Sequence, residues 1–165
     1  MRTTRGTDWV TFFVAGVPRP QGSKRVIPGR NGARPILVEA SKGLKDWRGD
    51  VRRTASDAWE GRDLLEGPVL LTATFYFQRP KSHHLGNDPS RAVRPAAPRH
   101  KTGPPDGSKL QRAVEDALEG IVYSNDSRIV IWSGTKVYAD PGSPPGVRLH
   151  VALAPLVVET RSPTD

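Results

Sequence analysis

Two aspartates and a serine define the chemistry this chain could perform. Asp106 and Ser108 head the stretch PPDGSKLQRAVEDALEG at residues 104–120, and Asp126 closes the turn SND at 124–126. Several carboxylate oxygens can gather around Mg²⁺ at about 2.1 Å. A metal held in this way polarises a phosphoryl oxygen and lowers the pKa of a bound water. Such acids belong at strand ends and turns beside a basic surface. Asp106 ends a basic loop just before a helix, and Asp126 lies between a short apolar piece and a strand. They are far enough apart in sequence to converge. The competing reading is a capped helix: Ser108 as N-cap with Gln111 three residues on fits a capping box, worth about 1 kcal/mol. That accounts for Ser108 but not for the two aspartates.

These residues must be held by the elements around them. Leu110, Ala113, Val114, Ala117 and Leu118 form an apolar stripe that predicts a helix over 108–119, stopped by Gly120. Asp116 lies eight residues from Ser108, about 12 Å along a helix, too far to share a metal with it. It is expected instead to pair with Arg112, one turn away. Strands are predicted at 9–17, 36–39, 68–77, 128–138 and 147–155, with 68–77 apolar on both faces and therefore central. A second helix is predicted at 41–59, with Leu44, Trp47, Val51, Ala55, Ala58 and Trp59 inward and Gly43 and Gly49 weakening it. Lys45, Arg48 and Arg52 make a basic stripe beside that face. The order β, β, α, β, long loop, α, β, β implies one α/β (α+β) domain: a mixed β-sheet with helices packed on it, spanning 9–155 between tails at 1–8 and 156–165.

Two segments lack a period. Residues 18–35 are turn-rich and carry Arg19, Lys24, Arg25 and Arg30. Residues 78–105 form a long loop holding Arg79, Lys81, Arg91, Arg94, Arg99 and Lys101 against Asp88. A structureless loop of this length is functional or disordered, and a mobile basic loop that orders on nucleic acid would be both. His83, His84 and His100 are read as solvated loop residues; the adjacent pair would point opposite ways and not share a metal.

Composition narrows the partner. The chain has 165 residues, no cysteine, and 25 Lys+Arg against 17 Asp+Glu, a net charge of +8. This excludes disulfide frameworks and thiolate metal sites and favours a polyanion such as nucleic acid. Aromatic residues, at 7%, offer few evident platforms for stacking bases. With no apolar run near the roughly 20 residues that span a bilayer and a polar N-terminus, a soluble, intracellular protein is expected, with no membrane partner.

Residues 105–129, PDGSKLQRAVEDALEGIVYSNDSRI, resemble the core signature of the RusA family of crossover junction endodeoxyribonucleases. That signature runs Pro-Asp-x-Asp-Asn-Leu-x-Lys, then Asp-Ala-Leu, a spacer, and Asp-Asp-x-x-Val. Pro105, Asp106, Leu110, Asp116, Ala117, Leu118 and Asp126 fall on it, and Arg112 takes the lysine place. Ser108, Lys109 and Asn125 stand where the signature has Asp, Asn and Asp. The resemblance extends more loosely over most of 9–155, including the pair Trp47-Arg48.

It implies a homodimer that resolves Holliday junctions, in a bacterial or phage-infected cytoplasm. On this reading Asp106 and Asp126, with Ser108 directly or through water, hold Mg²⁺ (or Mn²⁺), and Arg112 and Lys109 stabilise the attacked phosphate. Lys24, Arg25, Lys45, Arg48, Arg52, Arg99 and Lys101 bind backbone phosphates. The alternative is a branched-DNA-binding protein that has lost cleavage, to which Ser108 and Asn125 point.

Overall fold

Alternation in the strand with the strongest apolar pattern sets the layers. β4 (Val69–Phe77) turns Val69, Leu71, Ala73, Phe75 and Phe77 inward, all buried, and leaves the residues between them half-buried. The computed structural model describes residues 8–22, 24–27, 36–39 and 43–155. β4 lies inside a four-stranded sheet of order β1-β6-β4-β5, formed with β1 (Trp9–Ala15), β6 (Gly146–Leu153) and β5 (Ile129–Tyr138). The β1–β6 and β4–β6 pairs are antiparallel and β4–β5 is parallel. Register places Val10, Val151 and Leu71 in one row, and Phe12, Leu149 and Ala73 in the next. All six are buried on one face.

That face is covered by α1 (Leu44–Ala58) and α2 (Gly107–Leu118). α1 buries Leu44, Trp47, Val51 and Ala55; α2 buries Leu110, Ala113, Val114, Ala117 and Leu118. Both stripes are those expected from the sequence. α1 starts after Gly43, whose φ of 78° suits glycine just outside a helix, so the expected cost of Gly43 inside it does not arise. Gly120, at φ 74°, ends α2 as expected. The opposite sheet face is open, with Trp9 and Phe13 exposed.

Two corrections concern the irregular segments. Lys24–Ile27 is a strand, β2, paired antiparallel with β3 (Ile36–Glu39) in a separate two-stranded sheet. Lys24 and Arg25 thus lie on a strand rather than in a loop. β-branched Val26 and Ile27, given a partner, override the turn-rich flanks. Arg30 and both expected tails, apart from Asp8, lie outside the described residues.

The 78–105 segment is not structureless. Short 3₁₀ turns form at Lys81–His83 and Leu85–Asn87. The Arg94 side chain donates to His84 O at 2.9 Å and Asn87 Oδ1 at 3.0 Å, and Arg79 donates to Pro98 O. His84 is buried, its Nδ1–H donating to Arg91 O at 2.9 Å, so it is not a solvated residue. The His83 ring packs edge-on against Tyr138, with centroids 4.9 Å apart. The segment then returns along the free edge of β5. Lys101 N–H donates to Lys136 O, and Tyr138 N–H to Arg99 O, both at 3.0 Å. Arginine-to-carbonyl bonds and edge pairing leave no hydrophobic period, so the sequence does not announce them.

Candidate active site and nucleic-acid interface

The β4–α2–β5 crossover decides where each candidate residue stands. β4 and β5 are parallel, so α2 must run back between them. Its N-terminus lies at the C-terminal ends of both strands, and its C-terminus at their starts.

At the N-terminal end, three hydrogen bonds fix the backbone. Lys136 on β5 donates from Nζ to Gly103 O at 2.9 Å and Pro105 O at 2.8 Å. The strap after β1 reaches the same turn, with Gln21 N–H donating to Lys109 O at 2.9 Å. Asp106 is the N-cap residue, in extended conformation, but its carboxylate makes no capping hydrogen bond. The side chain is 63% exposed and ion-paired with Lys109 Nζ at 3.1 Å. A carboxylate is favourable here because the helix N-terminus carries partial positive charge.

The expected capping box does not form. Asp106 takes the N-cap place, for which it is as well suited as serine, and Ser108 becomes the second helical residue. Gln111 donates to Glu115 Oε1 at 2.7 Å instead of reaching back. Ser108 is exposed, one helical turn from the equally exposed Arg112.

Asp126 lies at the other end. It opens a 3₁₀ turn, Asp126–Arg128, in which Asn125 Oδ1 accepts from Ser127 N–H at 3.0 Å. Just before it, buried Tyr123 donates from its hydroxyl to Glu115 O at 3.0 Å. Burial, and then the carboxylates of Glu115, Asp126, Glu119 and Asp116, push the Tyr123 phenol well above its ordinary range. Asp126 therefore belongs to the acidic C-terminal end of α2. That helix has 12 residues and is about 18 Å long. Within one chain Asp106 and Asp126 do not converge, and among the described residues no three His, Cys, Asp or Glu side chains group to hold a metal ion.

The basic residues divide by use. Arg48 is half-buried and pairs with Asp116 at 3.5 Å, which corrects the expected Arg112–Asp116 pair. Across the helix interface Arg48 is the nearer partner. Arg52 donates to Ala117 O and Glu119 O at 3.2 and 3.3 Å, holding the last carbonyls of α2. Both arginines thus join α1 to α2. Lys45 is exposed on the first turn of α1, and Arg99 is exposed beside β5. Lys101 is half-buried, its Nζ 5.4 Å from the Phe77 ring centroid and 5.9 Å from that of Tyr138. The side chains of Lys24 and Arg25 lie outside the described set.

Between the first turn of α2 and β5 lies a cleft of about 410 Å³, lined among others by His100, Lys101, Ser108, Gln111, Trp132 and Lys136. Sequence reasoning singled out neither Trp132 nor Lys136. The signal was available: alternate residues of a predicted strand share a face, and a lysine amid the inward residues of RIVIWSGTKVY needs a partner.

Residues 16–151, most of the chain, match the family model Endodeoxyribonuclease RusA. No curated protein matches the chain.

Proposed function

Because the chain belongs to the RusA endodeoxyribonuclease family, we propose that it hydrolyses phosphodiester bonds in branched DNA, chiefly four-way junctions, as a Mg²⁺-dependent homodimer. The observation that carries this reading is the exposed carboxylate of Asp106, free of capping duty, at the basic end of α2.

Among the described residues, one chain brings no magnesium shell together. Asp106 and the Ser108 hydroxyl stand at one end of α2 and Asp126 at the other. A second copy that brings its Asp126 against Asp106 and Ser108 supplies the missing acid, which makes the dimer a requirement for cutting. Magnesium bound between these groups would supply an activated water and charge neutralisation. The chain's own cations do the rest. Lys109 and Arg112 flank Ser108 on the exposed side of α2, where they can hold the attacked phosphate. Lys45, Lys101 and Arg99, with Lys24 and Arg25, bind backbone phosphates, so affinity falls steeply with salt. Arg48 and Arg52 serve chiefly to seat α2.

The test compares a synthetic four-way junction with a linear duplex, with and without Mg²⁺. The parent is expected to cut the junction alone, and only with Mg²⁺. Asp126→Asn is expected to bind the junction normally and cut it at least 100-fold more slowly, on the order of the loss of a charge-stabilising group. A variant that cuts as fast as the parent removes Asp126 from the site.

A second reading, a junction-binding protein without cleavage, is favoured by one contact: the Lys109 ammonium lies 3.1 Å from Asp106 Oδ2, where a metal would compete with it. It is supported if the parent binds junctions without cutting and Ser108→Asp gains Mg²⁺-dependent cutting.

A further inference from the structure

We propose that the cleft between α2 and β5 binds one unstacked nucleotide of the DNA strand being cut, with its base against Trp132. This rests on the reading above that the chain acts on branched DNA. It adds the feature that distinguishes a branch from a continuous duplex.

The cleft measures about 410 Å³, within the range of small-ligand sites. Its floor is aromatic. Trp132, Gly134 and Lys136 alternate along β5 and share one face. The Trp132 indole rests against the bare backbone of Gly134: a Cβ at 134 would stand 3.1 Å from its Nε1 and 3.2 Å from its Cζ2. The ring is half-buried, packed against the core yet still open to the cleft. A base stacked on such a ring gains about 5- to 150-fold in affinity, whatever its identity.

The walls suit the rest of a nucleotide. Ser108 brings a hydroxyl. Gln111, whose nitrogen already donates to Glu115, keeps its amide oxygen for the edge of a base. His100 and Lys101 stand on the side of the returning loop, where Lys101 can meet an anionic phosphate. A planar stacking surface, hydrogen-bonding groups at its edge and a cation together match a nucleotide better than an aliphatic or purely anionic ligand. The cleft also lies beside the proposed chemistry, since Ser108 is two residues from Asp106. Taking a base out of an intact duplex costs unpairing and unstacking, and this cost is least where a base is already unpaired or poorly stacked. At a branch point the cleft is therefore filled cheaply, whereas in a duplex it is not.

The test uses the full chain without metal, so that binding is read apart from cutting. A four-way junction carries one abasic position, moved nucleotide by nucleotide through the exchange point. At one position, loss of the base is expected to weaken parent binding about tenfold, within the stacking range above. Trp132→Leu keeps apolar bulk but is expected to lose the same tenfold on the intact junction and to ignore the abasic position. Trp132→Phe is expected to remain sensitive, and duplex affinity to stay unchanged in all three. Gly134→Val, which displaces the ring without altering it, should behave as Trp132→Leu and serves if the latter does not fold. If the abasic loss is equal in parent, Trp132→Leu and Gly134→Val, or appears at no position while the junction still binds, the nucleotide site is wrong and the branched-DNA reading stands. If the parent does not prefer junction to duplex, that reading fails and the site with it.

Discussion

At the scale of single residues, buried and half-buried polar groups hold α2 and the turn that enters it in place. Tyr123 shows this best. Its hydroxyl is buried under α2 and donates to Glu115 O at 3.0 Å, with four carboxylates around it. The phenol is thus held neutral in the folded chain to a pH above the value of about 10 at which an unfolded tyrosine ionises. The unfolded chain therefore binds fewer protons than the folded one once the pH passes 10. Stability contributed by this group is fully present below that pH and is lost as the pH rises further. Tyr123→Phe is expected to cost about 1 kcal/mol at neutral pH, from the lost hydrogen bond, and to flatten the alkaline decline. Urea denaturation of parent and variant at a series of pH values checks both. A decline unchanged by the substitution would mean that other groups cause it.

At the scale of elements, the residues that look alike in sequence separate by what they hold. Lys45, Arg48 and Arg52 read as one basic stripe because helical periodicity reports which face a residue is on, not what lies opposite. The opposing element is α2, and its Asp116 and terminal carbonyls take Arg48 and Arg52. Arg52→Ala is expected to destabilise the fold by about 1 kcal/mol, the net worth of such bonds, and to leave the salt dependence of DNA binding unchanged. Lys45→Ala is expected to do the reverse: stability within about 0.5 kcal/mol of the parent, and a slope of log affinity against log salt reduced by about one. Denaturation and binding titrations at several salt concentrations separate the two. The same limit explains what the sequence made legible. The stripes of α1 and α2, the central place of β4 and the stop at Gly120 are periodic or local, and could be read directly. The edge pairing of 99–101 on β5 and the burial of His84 depend on contacts between distant segments that leave no period, whereas the shared face of Trp132 and Lys136 was there in the strand's alternation.

At the scale of the whole molecule, the crossover topology imposes a separation that spacing along the chain concealed. Asp106 and Asp126 are 20 residues apart in sequence, far enough apart to leave room for convergence. Their segments flank the 12-residue helix α2, so the acids stand at opposite ends of it. A two-fold interface is self-complementary, each patch meeting its counterpart twice. If the Asp106 end of one α2 meets the Asp126 end of the other, a dimer contains two composite sites, each with one group from each copy. This arrangement makes a prediction that a self-contained site cannot. Asp106→Asn and Asp126→Asn homodimers are each expected to be inactive. Mixed under conditions that exchange subunits, they form heterodimers in which one site carries both substitutions and the other neither. Up to half of the dimers in an equal mixture would then hold one intact site. Such dimers are expected to nick one strand of a junction without making the paired cut, visible as a single nicked product on a denaturing gel. If each chain carried its own complete site, every site in the mixture would hold one substitution and nicking would not return.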